Sequence, residues 1–273
     1  MPQTCYRHPN RETAVSCSSC GRPICPDCMT PSPVGMRCPE CMRQPTRVVW
    51  GVGEASLFSR APATFILIGL NVAVYLAEIA SGSGGLEAEG TSLIPEFGLF
   101  GPSVNSGEWY RLVTSGFIHG GLWHILGNMV LLYFLGRVLE PGIGTPRFVA
   151  LYLASLFAGS FGALLLTPLG LTFGASGAVF GVMAATFVIA RGRGVDALAS
   201  TVGILLLLNL AFSFGASGVS LGAHLGGLTG GVLCAAIILA GERGMLGQRH
   251  LSAELIAMSA VGVLSILGAL AVA

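Results

Sequence analysis

Hydrophobic residues along this 273-residue chain gather into long runs separated by short polar or glycine-rich breaks. Apolar runs occupy roughly 61–80, 122–139, 147–168, 175–190, 196–214, 219–240 and 254–272. Most approach the ~20 residues that a helix needs to cross about 30 Å of hydrocarbon. The pattern predicts seven transmembrane helices, the fourth and fifth softened at their edges by glycine and serine. Residues 1–44 differ: they are polar, rich in cysteine and lack any apolar run. Residues 45–60 read as a linker leading to Pro62, and the N-terminus has no apolar core of the kind a signal peptide carries.

Composition supports the membrane reading. Hydrophobic residues make up 53% of the chain, charged residues 10%, and mean hydropathy is +0.76, far from a soluble domain. The 40 glycines suit close helix packing. A net charge of +1 argues for no polyanionic partner, nucleic acid included. All 14 basic residues are arginines. With the N-terminus in the cytoplasm, every one lies inside except Arg111, which falls in the long first loop, 81–121. That distribution follows the positive-inside rule and predicts an N-in, C-out topology.

Polar groups within the spans then carry the information, because ionisable side chains in a bilayer face a cavity or a partner. The second span opens LWHILGNM, with His124 and Asn128; the fourth opens GASGAVFG, with Ser176; the sixth opens SLGAHLGGLTGG, with His224. All three run from outside to inside, so these groups share one depth, about one to two helical turns below the outer surface. Gly177 and Gly181 line one face of the fourth span, and Gly227 and Gly231 repeat that spacing in the sixth. Small-residue faces let helix backbones approach closely, which brings the Ser176 hydroxyl within reach of His224.

The chemistry follows from the residue types. A hydroxyl is a weak nucleophile until a base takes its proton, and His224 is positioned as that base. Attack on a carbonyl develops an oxyanion. His124 and Asn128, at i and i+4 on one helical face, can both donate to it, as can the Ser176 backbone N–H at a helix start. Phe180, four residues after Ser176, is placed to stack on His224. No carboxylate belongs to the same level by sequence: Asp196, Glu254 and Glu140 lie at the cytoplasmic side, and nothing ties Glu78 to His224. A Ser–His dyad is therefore expected, its imidazole held by packing and other hydrogen bonds. The string FGASG recurs at 214–218, but its Ser217 sits in a loop seven residues before His224, so Ser176 is the expected nucleophile. Cys234 lies about 15 Å deeper than His224 and is assigned to packing.

The run EWYRLVTSGFIHGGLWHILGNM, followed by GASG and AHLGG, resembles the rhomboid family of intramembrane serine proteases over residues 61–240. The resemblance implies an all-α polytopic membrane fold, a six-helix core with a seventh helix within 241–273. It also implies Ser176 as nucleophile, His224 as base, and His124 and Asn128 as oxyanion partners. Trp109 and Arg111 correspond to the tryptophan and arginine of the family's first loop, although Tyr110 intervenes here. Phe180 stands where many relatives carry tyrosine.

In the N-terminal segment, Cys5-x-x-His8, Cys17-x-x-Cys20, Cys25-x-x-Cys28 and Cys38-x-x-Cys41 supply eight ligands, enough for two tetrahedral zinc sites. A disulfide framework is disfavoured by seven cysteines, an odd number, and by a cytoplasmic location. About 40 residues cannot build a hydrophobic core, so two structural zinc ions would supply the folding energy. Spacing alone leaves interleaved and sequential pairing open. The ligand spacing resembles a B-box zinc finger, which implies interleaving: first pair with third, second with fourth. Expected partners are transmembrane protein substrates, the lipid bilayer and a cytoplasmic protein on the zinc module. Two classes compete for the whole chain: a peptidase that cleaves transmembrane segments near the outer face, and a catalytically silent membrane adaptor of the same fold. Intact Ser176, His224, His124 and Asn128 favour the first.

Overall fold

The structure, a computed structural model, describes residues 3–32, 35–43, 60–82, 93–215, 218–245 and 250–273. The chain forms two units, Met1–Ala55 and Ser56–Ala273. Of the linker expected at 45–60, all but Arg60 lies outside the described residues.

In the first unit, strands β1 (Gln3–Thr4) and β2 (Glu12–Thr13) pair antiparallel, with Gln3 opposite Thr13. A second hairpin joins β3 (Thr30–Ser32) to β4 (Gly35–Arg37), and helix α1 (Pro39–Arg43) follows. Strands this short cannot hold themselves together. The buried interior consists of Ile24 and the cysteines Cys5, Cys17, Cys25, Cys28, Cys38 and Cys41. Thiols stand where a small domain would ordinarily place aliphatic side chains.

The second unit is a helical bundle. Helix α2 (Pro62–Ser81) begins on Pro62, which suits a first helical turn. Short helices α3 (Leu93–Phe97), α4 (Gly101–Asn105) and α5 (Arg111–Thr114) follow. Then come α6 (Leu122–Ile143), α7 (Thr145–Leu166), α8 (Ser176–Gly192), α9 (Asp196–Gly215), α10 (Leu221–Glu242) and α11 (His250–Val272). Among the described residues, six helices are long and apolar enough to cross a membrane, one fewer than the seven expected. The exception is α8. Its 17 residues rise about 25 Å, short of a full hydrocarbon thickness.

The shortfall has a local cause. Helix α7 stops at Leu166 because Thr167 precedes Pro168, and proline disfavours helical backbone in the residue before it. The chain then runs without helix to Ala175. Its backbone groups are satisfied by the loop before α6: Leu99 and Thr172 exchange N–H···O bonds of 2.8 and 2.9 Å, and Gly174 N–H donates to Ser115 O at 2.8 Å. Irregular backbone at membrane depth requires internal pairing of this kind.

Helix α10 is central, packed against both α7 and α8. The glycine faces meet as their spacing predicts. A methyl group on Gly227 would lie 1.9 Å from Gly177 O, and one on Gly231 would lie 2.1 Å from Gly181 O. Cys234 is fully buried in the same core. At the other end of the bundle, the buried Glu140 carboxylate accepts from the N–H groups of Ala63 and Thr64 at 3.0 and 2.8 Å. It caps the start of α2, where the helix dipole favours negative charge. The Thr64 and Thr145 hydroxyls complete its shell at 2.7 Å.

The loop arginine is structural. Arg111 is buried, and its Nη1 donates to Pro95 O and Gly98 O, both at 2.7 Å, while Nε pairs with Glu108. That contact holds the Glu108 carboxyl below its ordinary range. The two aromatic residues before it differ in their surroundings. Trp109 is 62% exposed, whereas Tyr110 packs edge-on against Phe97 with centroids 6.1 Å apart. Tyr110 is itself 45% exposed, and the Arg111 guanidinium lies 5.8 Å from its ring centroid.

Candidate active site and cysteine clusters

Ser176 is the first residue of α8, so its backbone N–H has no partner within the helix. Gly174, two residues earlier, has φ of +120°, a conformation that side chains rarely adopt. A methyl group there would also lie 2.6 Å from His124 Nε2. Glycine is thus required twice over, and its absent side chain lets the His124 ring lie against the segment that delivers Ser176.

Ser176 Oγ lies 2.8 Å from His224 Nε2. His224 sits in the first turn of α10, whose start is capped by Ser220 accepting from Ala223 N–H at 3.3 Å. Phe180 stacks on the imidazole, centroids 4.1 Å apart and planes 15° apart. The other imidazole nitrogen, Nδ1, lies 2.6 Å from the hydroxyl of Ser213, a residue of α9 that no motif in the sequence marks. A lone serine in an apolar helix ordinarily bonds its own backbone, and Ser213 also does so, donating to Asn209 O at 2.7 Å. Nothing in the local string separates the two roles.

His124 and Asn128 reach the same place. A cavity of about 410 Å³ is lined by His124, Asn128, Ser176, Phe180, Phe212 and His224. Asn128 Nδ2 donates to His124 O at 3.0 Å, which uses one of its two hydrogens and leaves the other. The His124 ring is held edge-on by His119, centroids 5.0 Å apart, and leans on Phe173 at 6.0 Å. His119 is buried, and its N–H donates to both oxygens of the buried Glu78 at 3.1 and 3.2 Å. Glu78 therefore braces the segment leading into α6, a link that the sequence did not reveal. Among the described residues no hydrogen bond or ion pair joins His224 to a carboxylate. Ser217 lies outside the described residues.

In the first unit, ligand atoms of Cys5, His8, Cys25 and Cys28 lie within 4.8 Å of one another, and those of Cys17, Cys20, Cys38 and Cys41 do the same. His8 Nδ1 is 3.9, 3.3 and 3.4 Å from the sulfurs of Cys5, Cys25 and Cys28, and Cys20 and Cys38 sulfurs are 3.8 Å apart. Four ligands about a tetrahedral ion with ~2.3 Å metal–sulfur bonds would stand about 3.8 Å apart. Both clusters could hold a metal ion, and their pairing is interleaved, first pair with third and second with fourth. The donor chemistry fits as well. Ser19 and Cys38 N–H groups point at Cys17 Sγ at 3.4 and 3.3 Å, and the Arg22 Nε–H donated to Cys20 at 3.3 Å holds that thiol below its ordinary value.

Residues 106–241 match the Rhomboid domain family model. The chain is 34% identical over 221 residues to the rhomboid protease GluP of Bacillus subtilis (strain 168), covering 77% of this chain and 42% of the relative. It is 42% identical over 82 residues to RHOMBOID-like protein 1 of Arabidopsis thaliana, covering 30% of this chain and 21% of that protein. With Rhomboid-like protease 3 of Toxoplasma gondii it shares 31% over 84 residues, 31% of this chain and 32% of the relative. The chain thus spans well under two thirds of the length of the curated relatives it matches.

Proposed function

The chain belongs to the rhomboid family, and we propose that it is an intramembrane serine endopeptidase cleaving transmembrane segments of other membrane proteins near the outer face. The observation that carries this reading is the 2.8 Å contact between Ser176 Oγ and His224 Nε2, in a cavity shared with His124 and Asn128. His224 takes the hydroxyl proton as Ser176 Oγ bonds to the scissile carbonyl carbon. The tetrahedral oxyanion is received by the free Asn128 Nδ2 hydrogen, the His124 ring and the Ser176 N–H. Collapse breaks the C–N bond, and His224 returns its proton to the leaving amine. Water, deprotonated by the same imidazole, then hydrolyses the acyl ester on Ser176.

The arginine distribution supports an N-in, C-out topology, with the dyad nearer the outer face. In this reading residues 61–240 form the protease core, and 241–273 hold a cytoplasmic loop and the additional span. Residues 1–44 form a B-box-like module with two structural zinc ions, joined through the 45–60 linker and available to a cytoplasmic protein. Saturated Cys/His clusters leave no open coordination position, so the zinc has no part in hydrolysis. A serine-directed fluorophosphonate probe tests the enzyme reading. Labelling of the purified protein supports it, and absence of both labelling and cleavage favours the silent adaptor.

A further inference from the structure

Proton counting at His224 yields a role for Ser213. The two residues are on different helices, α10 and α9, and both are buried, Ser213 at 4% exposed and His224 at 6%. A serine hydroxyl has one hydrogen to give and two lone pairs with which to accept. Asn209 O, 2.7 Å from Ser213 Oγ, is a carbonyl and can only accept, so the single hydrogen is committed to it. What Ser213 then presents across 2.6 Å to His224 Nδ1 is a lone pair. Nδ1 must carry a hydrogen to satisfy that contact. In a neutral imidazole the hydrogen at Nδ1 leaves Nε2 bare, and Nε2 is the atom facing Ser176 Oγ.

We infer that Ser213 is a positioning residue that fixes His224 in its Nδ1–H tautomer and so keeps Nε2 free to accept the Ser176 proton. The chain of donors runs from Ser176 through His224 and Ser213 to the α9 backbone. It does the orienting work of a buried carboxylate with no charge in the bilayer, where a carboxylate would be costly. It also keeps its acceptor when the imidazole becomes cationic during attack. Because Ser213 belongs to α9, the state of the base depends on how that helix is seated against α10. The inference rests on reading Ser176 and His224 as the dyad.

The test uses the full chain in detergent with a model transmembrane substrate, comparing wild type with Ser213→Ala and Ser213→Thr. Losing one neutral hydrogen bond to the base predicts a kcat lower by about tenfold in Ser213→Ala, with KM within about twofold. Ser213→Thr keeps the hydroxyl and its bond to the carbonyl four residues back, and should restore most of kcat. Nitrogen-15 NMR of histidine-labelled wild type should show an Nδ1–H tautomer for the signal that disappears in His224→Ala. In Ser213→Ala that signal should shift toward a tautomer mixture. An Nε2–H tautomer in the wild type overturns the inference outright, even if Ser213→Ala does not fold. So does an unchanged kcat in Ser213→Ala, or a loss of kcat in that variant with the tautomer intact. Cleavage surviving in Ser176→Ala or His224→Ala would instead mean that the dyad reading itself fails.

Discussion

Phe180 lies flat on the imidazole of His224, 4.1 Å between centroids and 15° between planes. Both are buried, and the stack restricts rotation of the ring that must face Ser176. Aromatic pairs of this kind are worth roughly 0.5–1.5 kcal/mol beyond their buried area, about two- to twelvefold in rate if expressed wholly in the transition state. Phe180→Tyr should therefore leave kcat near wild type and Phe180→Leu should lower it by up to about tenfold, in steady-state cleavage of a model substrate. Equal activity in the two variants would remove the stack from the mechanism.

The duplicated FGASG string sets up a direct comparison of two serines. Ser176 contacts His224 and opens α8, so Ser176→Ala should abolish fluorophosphonate labelling and cleavage together. Ser217→Ala should leave both largely intact. The opposite pattern would move the active site.

Asn128 holds one Nδ2 hydrogen on His124 O and has another to donate. Asn128→Ala should lower kcat on the order of 10²-fold, as loss of an oxyanion donor does elsewhere, with a smaller change in KM. A larger effect on KM than on kcat would assign the residue to substrate binding.

Contact between α8 and α10 leaves no room for a side chain at Gly227, where a methyl would sit 1.9 Å from Gly177 O. Gly227→Ala must separate the two helices, pulling His224 away from Ser176. Expected outcomes are a lowered thermal midpoint in detergent and loss of cleavage. Wild-type stability in that variant would contradict the close approach.

Elemental analysis should find two zinc ions per chain, both lost on deleting residues 1–44. Structural zinc is worth on the order of 10 kcal/mol of binding free energy, so chelation should unfold that module outright. Cleavage of a model substrate by the truncated chain in detergent should persist, because the dyad uses no metal. One zinc per chain would break the eight-ligand reading, and a folded but inactive truncation would tie the module to the active site.

Legibility in the sequence tracked how far each feature depends on spacing. Helices appear at every apolar run because apolar length alone drives them, and the Gly177/Gly181 and Gly227/Gly231 faces were readable because a four-residue period fixes a helical face. The short run at 175–190 already matched α8, but the pairing of Leu99 with Thr172 that holds the residues before it was not readable, because its two partners lie far apart in the chain. Ser213 was invisible for a similar reason: its partner is 11 positions away on another helix, and its string matches any backbone-bonded serine. Glu78 likewise meets a backbone N–H 41 positions distant, and backbone leaves no mark in sequence. In the cysteine segment, spacing alone made the ligands legible, whereas their interleaving was legible only through the resemblance to a B-box, because four equal pairs can be joined in more than one order.

The central place of α10 bears on biosynthesis. The helix that carries the proposed base and packs against both α7 and α8 follows them in chain order, and Ser176 precedes His224 by 48 positions. Until α10 inserts, the glycine face of α8 has nothing to close on, and the proposed nucleophile has no base. On the proposed reading, a chain not yet extended through α10 therefore carries a serine hydroxyl with no base, and hydrolysis becomes possible only once α10 has inserted.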